Sequence, residues 1–477
     1  MKRTKIVCTL GPASDKKTII KQLIRNGMNM ARFNFSHNVH AYHGRVLRLV
    51  RSAAKEVKQS VAILQDLQGP RIRLGDLPKK GINLVRGSEI ILTTDTKKNK
   101  KKIPVTYKNM HRDVKAGQRV LIADGVIELM ATKVRGKDIY CKVQAGGVVT
   151  SHKGINLPDT DVTVPALSEK DKKDLMFGIK NAVDFVALSF VRNAKEVSNL
   201  KDLITKYEKK LKIKSKNPIK IIVKVERKEA IENLDEIIAV ADGIMVARGD
   251  LGIELSAEDV PLMQKMIIDK CLTAAKPVIV ATQMLESMVN NPRPTRAEAS
   301  DVANAVIDHT DAVMLSGETA AGKYPVKAVE YMRKIIEKTE QSAYDDLVIK
   351  HKIKQIKSTS DAVSSLAKTL ADQINAKLIL VASISGHSGR VVSRYRPELP
   401  IFVACEDHRV QRQLQLTWGA IPFVLHRCKD LPAIIKKAET YLKLTKQAKK
   451  NDKMIVVAGV PVGKSGKINL VEVKEVS

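Results

Sequence analysis

Closely spaced cysteine pairs are missing from this sequence. Its five cysteines, Cys8, Cys141, Cys271, Cys405 and Cys428, are scattered along the chain, which excludes zinc-finger or paired redox spacing and a dense disulfide framework, and fits a reducing cytoplasm. Aromatic residues are scarce, 4% with a single tryptophan, so the base-stacking surface of a single-strand nucleic-acid binder has little to be built from. No hydrophobic run approaches the ~20 residues needed to cross a bilayer. The run behind the basic start Met1-Lys2-Arg3-Thr4-Lys5 is cut by Gly11-Pro12, so no signal peptide is expected. Acidic residues are in deficit, 51 against 83 Lys and Arg, leaving a formal charge of +32. That excess favours anionic partners: nucleic acid, acidic lipid or small phosphates. Its densest stretches, 97–102 and 206–216, are lysine-rich and nearly free of aromatics, and read as solvated surface.

What is present is a long chain, 477 residues and 44% hydrophobic, enough for two or three cores because single cores stop growing at about 250–300 residues. Short apolar runs alternate with helical patterns, the signature of βαβ units around a parallel sheet. Eight such runs are Lys5 to Thr9, Met30 to Phe35, Val61 to Gln65, Phe185 to Ser189, Ile219 to Val225, Gly243 to Ala247, Pro277 to Ala281 and Ala312 to Leu315. Each is followed by polar, charged or glycine residues, and in a closed eight-stranded barrel those ends converge on one face, where active sites lie. The fold class expected is therefore a (β/α)8 barrel, residues 1–70 and 167–340. The gap between the third and fourth runs is far too long for a βα loop of roughly 2–6 residues. Residues 71–166 are read as an inserted β lid, with Val120 to Ile122 and Val126 to Leu129 around the turn signal Asp124-Gly125. Before the eighth strand, Thr295 and Glu298 predict a capping box, with Ala299, Val302, Ala303, Val306 and Ile307 as the apolar face. From 341 to 477, runs at Leu378 to Ala382, Ile401 to Ala404, Pro422 to Leu425 and Met454 to Ala458 predict a separate α/β domain, in which the lone Trp418 is expected to pack rather than bind.

Lys224 and Glu226 stand two apart at the end of the fifth strand, so their side chains point the same way, toward the barrel mouth. Asp250, taken as the end of the sixth strand, would add a second carboxylate and complete a hard oxygen site suited to Mg2+. Gly249 and Gly252 would leave backbone N–H groups uncovered at a helix start, where a substrate carboxylate could bind. Each of these signals alone is better explained by a structural Lys–Glu ion pair and a glycine turn.

Longer strings carry a resemblance. Met30-Ala31-Arg32-Phe33-Asn34-Phe35-Ser36-His37, the segment 224–226, the segment 245–252, Ala281-Thr282-Gln283-Met284-Leu285-Glu286-Ser287-Met288 and Pro292-Arg293-Pro294-Thr295-Arg296 resemble the pyruvate kinase family, in order and over nearly the whole chain. No extension is expected ahead of the barrel. The resemblance implies phosphoryl transfer from phosphoenolpyruvate to ADP, giving ATP and, after protonation of the enolate, pyruvate, the last step of glycolysis. It also implies roles. Lys224 would neutralise the moving phosphoryl group, Glu226 and Asp250 would hold Mg2+ (Mn2+ could replace it), and a second Mg2+ would arrive with the nucleotide. Arg32 and Arg73 would clamp phosphate oxygens. The backbone of Gly249 and Asp250 would hold the pyruvyl carboxylate, and Thr282 would lie on the protonated face of the enolate, acting through water. His37 and Lys153 resemble nucleotide contacts, although a plain surface side chain explains both.

In the stretch Asp66-Leu67-Gln68-Gly69-Pro70-Arg71 the chain departs from potassium-requiring members, which carry threonine and glutamate where Leu67 and Arg71 stand. Asn34, Ser36 and Asp66 still match potassium ligands. Arg71 would replace the ion with a fixed charge, which implies activity without K+, as in the leucine- and lysine-bearing branch of the family. The loop Ser383-Ile384-Ser385-Gly386-His387-Ser388 resembles the family's effector loop, for a sugar phosphate or a nucleoside monophosphate; a helix cap accounts for its serines as well. Similar proteins are usually homotetramers, which the resemblance implies here as well. Two rivals remain: a Mg2+-dependent aldolase on the same scaffold, which has no need of Lys224 or the lid, and a nucleic-acid binder, for which only the charge speaks.

Overall fold

The computed structural model describes residues 2–95, 101–213, 217–345, 358–425, 428–461 and 467–477; residues 97–100 and 214–216 of the two lysine-rich stretches lie outside the described residues. Eight strands close into a barrel in sequential order, every pairing parallel. They are Lys5–Thr9, Met28–Asn34, Ala62–Asp66, Phe185–Leu188, Lys220–Val225, Gly243–Ala247, Val278–Ala281 and Ala312–Leu315. Their near-continuous apolar character follows from burial on both faces. One set of side chains packs under the surrounding helices. The alternate set, including Val7, Met30, Leu64, Ile222, Met245 and Met314, fills the barrel interior.

This period-2 alternation positions the chemistry. Two residues beyond each inward-facing apolar side chain, the same face presents the next layer up. Met30 is followed in this way by Arg32, Leu64 by Asp66, Ala187 by Ser189, and Ile222 by Lys224 and then Glu226.

The chain leaves the barrel after the third strand to form the lid. A six-stranded sheet runs in the order Ile155–Asn156, Arg119–Ile122, Ile127–Arg135, Asp138–Ala145, Glu89–Thr93 and Ile103–Pro104, beside a small antiparallel pair, Ile82–Leu84 with Gly147–Val149. Between Ile122 and Ile127, the residues Ala123, Asp124 and Gly125 all take positive φ, which the Asp-Gly signal foreshadows. The capping box at Thr295 and Glu298 opens the helix Arg296–Ile307, whose buried face is Val302, Ala305 and Val306. Ala299, Ala303 and Ile307, expected on that face, are only half-buried.

In the C-terminal domain, the parallel strands Ala420–Val424, Ile401–Cys405, Leu378–Ala382 and Lys453–Ala458 are extended by an antiparallel edge strand, Leu470–Glu475, which the sequence reading had not anticipated. This domain seals the bottom of the barrel. Leu416 completes the interior core, Arg412 Nε donates to Asp184 Oδ1 at 2.8 Å, and Gln413 Nε2 donates to the Pro218 carbonyl at 2.9 Å. Trp418 packs, as expected, between the guanidinium groups of Arg3 and Arg396, each 5.0 Å from its ring. All five cysteines are free thiols, and among the described residues no helix is long and apolar enough to cross a membrane.

Candidate active site

At the C-terminal mouth of the barrel, Lys224 Nζ lies 2.6 Å from Glu226 Oε1 and 3.6 Å from Asp66 Oδ1, and donates to Ser189 Oγ at 2.9 Å. The same-face reading of Lys224 and Glu226 thus corresponds to a direct contact. Glu226 is anchored on its other oxygen by the Phe190 N–H, at 2.7 Å. Arg32 is locked beside them: Nε donates to Asp66 Oδ2 at 2.7 Å, Nη2 lies 2.6 Å from the same oxygen, and Nη1 donates to Thr9 Oγ1 at 2.8 Å. Ser189 and Thr9 had been given no role, although both stand at strand ends on the inward-facing register, which was the signal available.

Burial opposes the charge on Lys224, yet Asp66, Glu226 and Asp250 outweigh it and hold the amine above its usual pKa. For Glu226 burial dominates. With the help of Asp250 it pushes the carboxyl up to about 7 despite Lys224. A divalent cation here would return Glu226 to its ionised form.

Asp250 does not end the sixth strand. That strand stops at Ala247, and Asp250 sits in the first turn of a short helix, Arg248–Glu254. Its half-buried carboxylate makes no hydrogen bond or ion pair among the described residues, and Glu226 Oε1, with only the ion pair to Lys224, accepts no hydrogen bond. Two hard oxygen donors with spare coordination are a donor set that fits Mg2+, which takes its remaining ligands from water and substrate oxygens. No cluster of three or more His, Cys, Asp or Glu suited to a metal occurs among the described residues.

The uncovered N–H expected at Gly249 is instead occupied, because it donates to Thr282 Oγ1 at 2.8 Å. Thr282 in turn donates to the Ala281 carbonyl at 2.6 Å. Its backbone is strained: Thr282 and Gln283 have φ of 68° and 53°, a region costly for a β-branched residue and concentrated at functional sites. Arg248, also given no role, holds this bend through the carbonyls of Thr282 and Gln283, at 2.7 and 3.2 Å, while pairing with Asp301 at 2.7 Å.

His37 is exposed, and its pKa is lowered by burial of part of the ring and by the charges of Arg71, Arg73 and Arg32. Asp66 is held below the usual carboxylate range: burial raises it, but Lys224, Arg32 and Arg71 prevail. Arg71 thus bears on both His37 and Asp66, and Arg73 on His37. Asn34 Oδ1 accepts from the Ser36 N–H at 3.0 Å, and Leu67 is buried. Lys153 is exposed on the lid, and among the described residues its backbone carbonyl is tied down by the Leu74 N–H at 2.9 Å. The cleft between lid and barrel is lined by Arg71, Asp124, Arg192, Arg227, Asp250 and Glu254, among others. At the far end of the molecule, Ser383 and Ser388 are buried, Ser385 and His387 half-buried, and Gly386 (φ 79°) caps the short helix His387–Ser393.

Comparison with known proteins places this architecture. The family described as "Pyruvate kinase, barrel domain" matches residues 1–329, and "Pyruvate kinase, alpha/beta domain" matches residues 361–474. The chain is 42% identical to a pyruvate kinase of Geobacillus stearothermophilus, over 100% of this chain and 81% of that protein. It is 41% identical to a pyruvate kinase of Clostridium acetobutylicum, over the full length of both. A crystal structure of a pyruvate kinase from Cryptosporidium parvum superposes with a TM-score of 0.93 at 37% identity, covering 100% of this chain and 96% of that one.

Proposed function

The chain belongs to the pyruvate kinase family and is a phosphotransferase that moves the phosphoryl group of phosphoenolpyruvate to ADP, giving ATP and pyruvate, and from that premise we propose how its residues divide the work. The carrying observation is the contact of Lys224 with Glu226 and Asp66 at the barrel mouth, with the unpaired carboxylate of Asp250 nearby. Glu226 and Asp250 hold Mg2+, the ion the family generally uses. When bound, that ion supplies charge neutralisation on the phosphoryl and enolate oxygens. Lys224 stabilises the charge on the phosphoryl group as it moves, with Ser189 fixing the amine. Arg32 and Arg73 clamp phosphate oxygens, and Asp66 and Thr9 orient Arg32. Positioning and electrostatic stabilisation of this kind carry most phosphoryl-transfer catalysis.

The carboxylate of the substrate binds at the N–H groups of Gly249 and Asp250, which requires it to displace Thr282 Oγ1 from Gly249. The freed hydroxyl is too weak an acid to give up its proton alone and acts as a relay: it passes a proton to the enolate carbon as it takes one from a water in contact with solvent, so it ends as it began. His37 and Lys153 contact the nucleotide. A coupled assay of pyruvate formation tests this division: Lys224→Met should lower kcat by about a thousandfold, and a variant within tenfold of wild type would end the proposal.

Further proposals concern the setting. Arg71 stands in for K+ beside Asn34, Ser36 and Asp66, so activity is K+-independent. The segment 383–388 receives the phosphate of an effector; unchanged phosphate binding in Ser385→Asp would refute this. The domains divide at 1–70 with 167–340, 71–166, and 341–477, and the chain works as a cytoplasmic homotetramer, which sedimentation velocity would contradict by finding a monomer.

A further inference from the structure

Where the C-terminal domain meets the barrel lies a small cavity of about 10 Å³, walled by Lys276, Asp311, Arg390, Arg394, Arg396 and Thr417. Lys276 and Asp311 come from the barrel, and the other four from the C-terminal domain. Four cations therefore face one carboxylate, and that carboxylate is already committed. Asp311 Oδ2 accepts from Arg396 Nη2 and from the Val278 N–H, both at 3.1 Å, and Oδ1 accepts from the Trp418 N–H at 3.2 Å.

The cations are only partly satisfied. Lys276 Nζ donates to the Ala241 carbonyl at 2.5 Å. Arg394 donates to the Thr273 carbonyl at 3.2 Å and to Asp361, and Arg396 donates to the His309 carbonyl at 2.7 Å. Yet the Nε–H groups of Arg394 and Arg396, residues only 8% and 2% exposed, have no acceptor. The guanidinium of Arg390, a half-buried residue, makes no hydrogen bond or ion pair among the described residues. Burial pushes its guanidinium pKa down, with only Asp242 opposing. The neighbouring His387 is likewise lowered, by burial first and then by Arg390, Lys276 and Arg394.

A buried donor left unpaired costs about 1–3 kcal/mol, more when it is charged, and unpaired buried groups in folded proteins are usually completed by a water or an ion. Water would satisfy the donors without offsetting the charge, whereas an anion does both. The cavity has room for about one water-sized sphere, which suits a monatomic ion better than a tetrahedral oxyanion. We propose that this interdomain cavity binds a halide-sized monovalent anion, chloride being the abundant example, which bridges the barrel and the C-terminal domain through Arg390, Arg394 and Arg396.

The test is thermal unfolding of the full chain at constant ionic strength, with gluconate replaced stepwise by chloride. A ligand that binds only the folded state raises Tm saturably. Wild type should show that rise, and Arg390→Leu should weaken the apparent affinity at least tenfold. A rise of equal size in both proteins, or no saturable rise in wild type, would overturn the proposal. So would an Arg390-dependent rise given by sulfate or phosphate and not by chloride, which would reassign the cavity to oxyanions. Should Arg390→Leu fail to fold, bromide-soaked crystals of the wild-type chain decide. An anomalous peak between the three guanidinium groups is expected, and its absence there overturns the assignment.

Discussion

Replacing Arg71 by glutamate should convert this chain into a potassium-dependent enzyme. Arg71 acts on Asp66, one of three residues whose types resemble potassium ligands, and a unit charge held 4 Å from a cation is worth roughly 4 kcal/mol at an effective dielectric of 20. Because Arg71 is exposed, screening reduces this to about 1–2 kcal/mol, a factor of roughly 5–30 in cation occupancy at 1.4 kcal/mol per decade. Wild type assayed for pyruvate formation in tetramethylammonium buffer should change less than about twofold over a potassium series. In Arg71→Glu the fixed charge is gone and a ligand is gained, so activity should collapse in tetramethylammonium and recover at least tenfold with potassium. Adding Leu67→Thr, which supplies a hydroxyl, should sharpen the response. Large activation of the wild type by potassium, or indifference of Arg71→Glu to it, would refute the reasoning.

Three further perturbations follow from the geometry. Thr282→Ala removes the hydroxyl that occupies the Gly249 N–H and is proposed to feed the proton relay, so kcat should fall by about a hundredfold, the usual range for a lost proton-transfer group, while Thr282→Ser keeps most activity; equal rates for the two would show the hydroxyl to be idle. Glu254 is pushed up to about 7, by burial first and then by Glu229, Asp250 and Asp159 against the opposing Arg227. A carboxyl raised in the folded state binds its proton more tightly there, so its contribution to stability is full below about pH 4.5 and is lost as pH rises through about 7. Glu254→Gln should therefore be more stable than wild type by roughly 1–3 kcal/mol at pH 8 and lose that advantage toward pH 4, as metal-free thermal melts would reveal; a pH-independent difference would exclude Glu254 as the source. Trp418→Ala empties the space between Arg3 and Arg396 and should cost about 3–5 kcal/mol in denaturant unfolding, whereas a cost under 1 kcal/mol would mean that the barrel base does not depend on it.

Much of the frame was legible because a parallel barrel strand, buried on both faces, writes an apolar run that ends where polar chemistry begins. Lys5–Thr9, Gly243–Ala247 and Ala312–Leu315 coincide with the runs read from sequence. The i, i+2 rule also brought Lys224 and Glu226 together, since it acts within one strand. What lay beyond sequence reasoning was contact between distant segments. The bond from Gly249 to Thr282 joins two strand ends, and nothing local announces it. Asp250 lies off the strand end to which it was assigned because the apolar run itself stops at Ala247, and Arg248 and Gly249 already belong to the helix that follows. The edge strand Leu470–Glu475 is half exposed and charged, so it lacks the apolar signature of its buried neighbours. Trp418 could be assigned to packing, but its two cationic partners come from the first residues of the chain and from the C-terminal domain.

The central claim is that Lys224 and Glu226 act as one unit on the migrating phosphoryl group. A cycle of Lys224→Met, Glu226→Gln and the double variant measures it, with ATP formation from phosphoenolpyruvate and ADP followed by phosphorus NMR. Groups that act together are strongly non-additive: each single change should cost about a thousandfold, and the double variant should lose hardly more. Losses that multiply, to about a millionfold, would mean two independent contributions and contradict the account.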